Sequence, residues 1–262
     1  MKRLIVWGAG ELGGRVARLW VAAGGRAIGL TQTARRHPLL QEMGVTPHLG
    51  SPVERLQPDD CLLLSLPGHA TQHEAVHTLA QTQVARPARV VMTSTTGYYG
   101  QLRGVINEYT LPGSDERAAE IAATEQAFKE WAGPNGVILR LGGLYGPGRG
   151  PFAALARRGT VRIRPPDRPL ALIHYDDAAA AIFAALNHAE PEPVYLAVTP
   201  PCPPRAQFYR LACARLNLPP PEFAEPLGFP LATFDVARLR RDLLPEPAFP
   251  NWLTALSLPT ST

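Results

Sequence analysis

Residues 4–13 read Leu4-Ile5-Val6-Trp7-Gly8-Ala9-Gly10-Glu11-Leu12-Gly13, a short apolar run that passes straight into G-x-G-x-x-G. No other segment constrains the fold as strongly. The apolar run suits a buried first strand. Gly8 permits a tight turn, Gly10 lets the backbone approach a pyrophosphate, and Gly13 lets the next helix pack closely on the strand. That helix is predicted by Val16, Leu19 and Trp20. Its N-terminus, at Glu11 and Leu12, offers unpaired N–H groups and a positive dipole end to phosphate. The motif is short, but it follows a strand pattern and precedes a helical one, which is the context it needs.

Strands and helices then alternate. Arg26–Leu30 reads as a strand, His37–Met43 as a short helix ending at Gly44, and Val45–His48 as a third strand. Cys61–Leu66 is an unbroken apolar run, as expected of a strand buried on both faces of a parallel sheet. Thr71–Thr82 is helical, Arg89–Thr93 a strand, Asp115–Trp131 a long helix capped by Ser114 or Asp115, and Val137–Leu141 a strand. This order predicts an α/β fold, a Rossmann-type doubly wound parallel sheet with helices on both faces. Residues 1–146 form its nucleotide-binding part. From residue 147 the chain is dense in proline, at Pro165-Pro166, Pro200-Pro201, Pro203-Pro204 and Pro219-Pro220-Pro221. Helical patterns persist at Asp176–Asn187, Arg205–Leu216 and Asp235–Leu243. Residues 147–262 therefore read as a small substrate-capping region, partly interwoven with the core, whose last residues Leu258–Thr262 fray.

The 26 lysines and arginines exceed the 22 acids by four. The basic residues are scattered and not interleaved with stacking aromatics, so a nucleic-acid groove is not expected. Cys61, Cys202 and Cys213 have no metal-ligand spacing, so no metal site is expected and a reducing cytoplasm fits best. The apolar stretch behind Lys2-Arg3 is cut by glycines and reads as a strand, not a signal peptide. No window approaches the ~18 apolar residues of a membrane span.

Two clusters sharpen the ligand. After the second strand the chain reads Thr31-Gln32-Thr33-Ala34-Arg35-Arg36, with no acid between Glu11 and Glu42. A carboxylate there would hold the ribose 2′-hydroxyl of NAD, whereas Thr31, Arg35 and Arg36 suit the 2′-phosphate of NADP. NADP(H) is expected over NAD(H), the alternative being that both arginines face solvent. The second cluster is Thr93-Ser94-Thr95-Thr96-Gly97-Tyr98-Tyr99-Gly100, at the C-terminal end of a predicted parallel strand. Hydroxyls there point into the ligand crevice, although a polar turn would also use some of them.

With these residues in view, the chain resembles the extended short-chain dehydrogenase/reductase superfamily, of the NAD-dependent epimerase/dehydratase type. Gly8-x-Gly10-x-x-Gly13 is similar to its cofactor loop and Ser94–Gly100 to its S-S-T-x-V-Y-G segment. Asn107-Glu108 resembles its acidic pair. Arg140-Leu141-Gly142-Gly143-Leu144-Tyr145-Gly146-Pro147-Gly148 is similar to R-x-x-x-x-Y-G-P-G, and Ile173-His174-Tyr175-Asp176-Asp177-Ala178 to I-H-x-x-D-x-A. The resemblance also implies a catalytic Y-x-x-x-K before A-A-x-E. Counted back from Glu125, those positions hold Arg117 and Ile121, which can neither act as the base nor tune one. The chain thus resembles an atypical, YeeZ-like branch, and its tail from Ala237 to Leu256 agrees with that.

The resemblance implies a cofactor set of Gly8, Gly10, Glu11, Leu12, Gly13, Thr31, Arg35, Arg36, Leu66, Pro67, Thr93, Gly143 and Leu144. Thr95 aligns with the substrate-polarising hydroxyl, and Tyr98 is the nearest phenol able to act as an acid. Thr96, Arg117 and Tyr145 fall where substrate is bound. His174 is expected to be structural, Arg140 to pair locally, and Asp176 or Asp177 to cap the next helix. The reading is an NADP(H)-dependent oxidoreductase or epimerase/dehydratase-like enzyme acting on a small polar substrate. Its alternative is a non-catalytic NADP(H)-binding redox sensor. A homodimer through the 115–131 helix is compatible with either.

Overall fold

A computed structural model describes residues 2–82, 86–101, 103–160, 162–163, 167–224 and 232–256. In chain order, the first half holds β1 (Arg3–Trp7), α1 (Glu11–Ala22), β2 (Arg26–Thr31), α2 (His37–Glu42), β3 (Thr46–Leu49), β4 (Cys61–Leu64), α3 (His69–Gln81), β5 (Arg89–Thr95), β6 (Val105–Ile106), α4 (Glu116–Ala132) and β7 (Gly136–Leu141). Then come β8 (Gly143–Tyr145), α5 (Pro151–Arg158), β9 (Arg162–Ile163), β10 (Leu172–His174), α6 (Tyr175–Asn187), β11 (Val194–Ala197), α7 (Arg205–Arg215), β12 (Glu222–Phe223), β13 (Thr233–Phe234) and α8 (Ala237–Asp242).

The main sheet has seven strands in the order β11-β7-β5-β4-β1-β2-β3, every neighbour parallel. This is the doubly wound arrangement, with the strand order reversing between β1 and β4. β4 is buried along its whole length, as its unbroken apolar run requires. Val16, Ala17 and Trp20 of α1 join Ala178, Ile182 and Ala185 of α6 on one face of the sheet. Val76 and Leu79 of α3 and Phe128 and Trp131 of α4 cover the other. β1 ends at the switch point, where the chain enters the glycine loop and the crevice opens.

The seventh strand, β11, lies beyond residue 147 and pairs with β7 from Val194↔Ile138 to Ala197↔Leu141. The second half therefore completes the sheet. A separate cluster packs Phe152 and Leu155 with Tyr145, Phe208 and Trp252. The α6 helix is not capped by an aspartate. The His174 ring takes that place, its Nδ1 accepting the Asp176 N–H at 3.1 Å. Asp177 is instead buried and accepts the backbone N–H groups of Ala248 (2.8 Å) and Phe249 (3.1 Å), fastening the C-terminal segment to the core. Pro165-Pro166 and Leu258–Thr262 lie outside the described residues. Among those described, no helix is long and apolar enough to cross a membrane.

Candidate active site

A cleft of about 540 Å³ opens at the switch point. Gly8, Gly10, Glu11 and Leu12 form one wall; Leu66, Pro67, Thr93 and Leu144 lie along it. Gly8 sits at φ +96, and a Cβ there would run into the Ser65 carbonyl. Gly10 differs: a Cβ placed on it meets nothing within 4 Å, so its backbone faces open space. The loop thus leaves room beside Gly10 for a diphosphate, which suits a dinucleotide. Gly13 does not line the cleft. A Cβ on it would strike Gly8 O and the Val6 side chain, so its part is the close packing of α1 on β1.

Gln72, 5% exposed, is a positioning residue that the motifs did not reveal. Its carbonyl accepts from Leu66 N (3.2 Å) and its amide donates to Thr93 O (2.6 Å), tying β4 and β5 at the cleft floor. Sequence reasoning also passed over Ser65, His69, Arg149 and Tyr175, which line the same cleft. His69 Nε2 bonds Glu120 at 2.7 Å across the α3–α4 junction. Ile121 lies in the cleft wall as a buried aliphatic, where the family resemblance calls for a lysine.

A second cavity of about 500 Å³ adjoins the first, and Thr95 and Arg117 line both. Thr96 and Gly143 line the second cavity, together with Arg168 and Arg205. Thr95 Oγ1 accepts the Gly97 N–H at 3.1 Å, capping the short 3₁₀ turn Thr96–Tyr99. That bond uses a lone pair and leaves the Thr95 O–H as a donor. Two neighbouring hydroxyls of the cluster are spent on structure: Thr93 donates to Leu64 O (3.2 Å) and Ser94 to Glu125 (2.6 Å).

Ser94, next to Thr95 on β5, contacts a buried charge pair. Arg140 and Glu125, each with a side chain 2% exposed, meet through three N–O contacts of 2.7–3.1 Å. Arg140 Nη1 also donates to the Tyr99 hydroxyl (3.0 Å), which in turn donates to Asn107 O (3.0 Å). Burial alone would lower the Arg140 guanidinium, but the hydrogen bonds and charge of Glu125 outweigh it and push it further up. Burial pushes the Tyr99 phenol up to about 12, so neither group exchanges a proton near neutrality.

Several anticipated site residues lie elsewhere. Tyr98 lines neither cavity; its ring lies 3.4 Å from the Arg140 guanidinium carbon and edge-on to Tyr99, which makes it a lid over the buried pair. Tyr145 is buried in the cluster with Phe152, Phe208 and Trp252, bonded to Thr254 at 3.0 Å and packed edge-on against His174. Thr31, Arg35 and Arg36 stand at the end of β2, outside the residues lining the cleft. Thr31 Oγ1 donates to Thr33 O (2.9 Å), and Arg36 reaches Glu11 at 3.4 Å. Glu11 is shared with Arg15 and Arg149 (3.0 and 3.4 Å), so three guanidiniums converge beside the glycine loop. Among the described residues, no group of three His, Cys, Asp or Glu side chains could hold a metal ion.

No family model matches the chain. Protein YeeZ of Escherichia coli K12 is 27% identical over 250 residues, covering 87% of this chain and 88% of YeeZ. A protein of unknown function from Silicibacter pomeroyi superposes with a TM-score of 0.76 at 24% identity, over 98% of this chain and 97% of its own. A protein from Methylobacillus flagellatus, proposed to be an NAD-dependent epimerase/dehydratase, gives 0.75 at 25%, over 98% and 96%. UDP-glucuronic acid 4-epimerase from Bacillus cereus, in complex with NAD, gives 0.74 at 14% identity, over 99% and 97%, a likeness of fold.

Proposed function

We propose that this chain, an atypical extended short-chain dehydrogenase/reductase of the YeeZ-like type, is an NADP(H)-dependent oxidoreductase or epimerase-like enzyme acting on a small polar substrate. In this reading residues 1–146 hold the cofactor and 147–262 close over the substrate. The protein is cytoplasmic, and α4 is the surface for a homodimer. The observation that carries the reading is the junction at Thr95 and Arg117, where the cleft at the glycine loop meets a second cavity.

The residues fit the cofactor. Gly8, Gly10 and the first turn of α1 would take the diphosphate, with Leu66, Pro67, Thr93 and Leu144 along its length. The buried Arg36 Nε has no partner, which leaves a donor at the edge where a 2′-phosphate would stand, beside the exposed Arg35. When bound, the nicotinamide supplies hydride donation and acceptance. The Thr95 O–H donates a hydrogen bond to the substrate oxygen and polarises it. The Arg117 guanidinium supplies hydrogen-bond donors and no acceptor, so its part there is to hold an anionic or carbonyl oxygen.

The first test is titration of NADPH and NADH against the protein, followed through Trp7 beside Gly8. NADPH is expected to bind at least about tenfold more tightly, with Arg36→Gln removing the difference. Thr95→Val is then expected to lower turnover of a carbonyl substrate by about 100-fold, a typical cost of losing one such donor, with NADPH affinity unchanged. Tight NADPH binding without turnover of any carbonyl compound would favour the sensor reading, which the loss of the Tyr/Lys pair to Arg117 and Ile121 supports.

A further inference from the structure

Four arginines, Arg103, Arg117, Arg168 and Arg205, line the second cavity against two aspartates, Asp115 and Asp167. Asp115 is committed, because its carboxylate accepts the Ala118 N–H at 3.0 Å as the cap of α4. The Arg168 guanidinium donates to the Gly100 carbonyl at 2.6 Å and meets no carboxylate within ion-pair distance among the described residues. Arg117, on the first turn of α4, is exposed and likewise has no carboxylate partner there. Burial pulls Arg168 down, and the charges of Arg205 and Arg117 add to this while Asp115 opposes it, so these cations lie close enough to repel one another. Like charges gathered in one cavity are unfavourable by themselves and become favourable around an anion. One further atom points to a ligand: Asp167 Oδ1 is buried with no donor among the described residues. A hydroxyl is the group that would satisfy it.

We infer that the second cavity binds a hydroxylated oxyanion, a hydroxy acid or a phosphorylated polyol, with Arg117 and Arg168 gripping the anion beside Thr95 and Asp167 accepting a hydroxyl. Arg117 occupies the position where the family resemblance calls for a tyrosine, so the anion sits next to the reacting centre. An arginine suits this place because its planar fork takes two oxygens of a carboxylate or phosphate at once. The inference rests on the enzymatic reading and names the substrate class of that site.

The test uses the full chain saturated with NADPH, so that the glycine loop is filled. Thermal unfolding is followed against inorganic phosphate, glycerate and propionate at ionic strength matched with sodium chloride. Phosphate or glycerate is expected to raise the melting temperature saturably. Arg168→Gln and Arg117→Gln should each weaken that response about tenfold, as expected for a charge-assisted hydrogen bond, whereas Arg18→Gln on the exposed face of α1 should not. Response to phosphate alone assigns a phosphoryl group, and response to glycerate alone a carboxylate. Propionate matching glycerate would overturn the role of Asp167. Equal responses in the wild type and both cavity variants, or no saturable response to phosphate or glycerate, would overturn the site. Arg117→Gln serves where Arg168→Gln fails to fold, because Arg117 is exposed and Arg168 is tied to Gly100. Absence of NADPH binding in the preceding titration would sink the cofactor reading on its own, separately from these outcomes.

Discussion

The two ends of the cleft are built from different materials. At the glycine end the walls are backbone: Gly8 in a conformation that side chains avoid, Gly10 facing open space and Gly13 pressed against β1. At the Thr95 end the support is a network of side chains, in which Ser94, Tyr99, Glu125 and Arg140 arrive from β5, the 3₁₀ turn, α4 and β7. A backbone-built end depends on residues a few positions apart, whereas a network-built end exists only once the sheet and α4 have come together. The first should tolerate or fail substitution one position at a time, and the second as a unit.

The sharpest way to break that contrast is at Glu125. Glu125→Gln leaves the Arg140 charge buried without its counter-ion, which is expected to cost roughly 3–5 kcal/mol. Urea unfolding would read this as a fall in the midpoint at an unchanged slope. Replacing both partners, as Glu125→Leu with Arg140→Met, should recover much of the loss, since two buried charges are then removed together. A single variant as stable as the wild type would show that the pair is not what supports Thr95.

The same contrast explains what could be read from the sequence. The glycine loop, the buried β4 and the alternation of strands and helices were legible because each rests on local spacing. β11 was not: it is four residues long, lies between Pro193 and Pro200, and earns its place only by pairing with β7. Tyr98 reads as a free phenol in sequence, yet the fold lays it over Arg140, which arrives from 42 positions along the chain. The helix-capping role went to His174 over its two aspartate neighbours because Phe249 stacks on the ring at 3.5 Å and holds Nδ1 toward the Asp176 N–H. Arg168 and Arg205 carried no motif, and only the folded chain brings them to the cavity that Arg117 lines.

A smaller effect separates the glycines. Gly8→Ala forces a side chain into φ +96 and against the Ser65 carbonyl, and is expected to cost about 1–3 kcal/mol and to abolish NADPH binding. Gly10→Ala has room, and its φ of −76 lies outside the left-handed region that Gly8 occupies. It should leave thermal unfolding nearly unchanged while weakening NADPH alone, by steric conflict with the diphosphate. Equal loss of stability in both would mean that the two glycines serve the fold together and that Gly10 has no separate part in binding.

The smallest effect is one of pH, at the cap of α6. His174 holds Nδ1 as an acceptor for the Asp176 N–H, so the neutral ring carries its proton on Nε2, which is buried without a partner. Burial lowers the His174 pKa below the ordinary value of 6.5; Asp176 opposes this and Arg15 adds to it. The unfolded chain therefore takes up a proton at higher pH than the folded one. Stability is full above about pH 6.5 and declines as pH falls from there toward the folded pKa, because protonation of Nδ1 removes the cap acceptor. His174→Asn keeps a capping acceptor and does not titrate. Its urea midpoint should start lower, for want of the stack on Phe249, and then change less than the wild type between pH 7.5 and about 5.5. Asp177, raised by burial, contributes with the opposite sign at more acid pH, and it is present in both proteins, so the difference between the two curves isolates the histidine. Parallel curves would mean that His174 keeps the same proton affinity folded and unfolded, and that α6 is held by its packing on α1 alone.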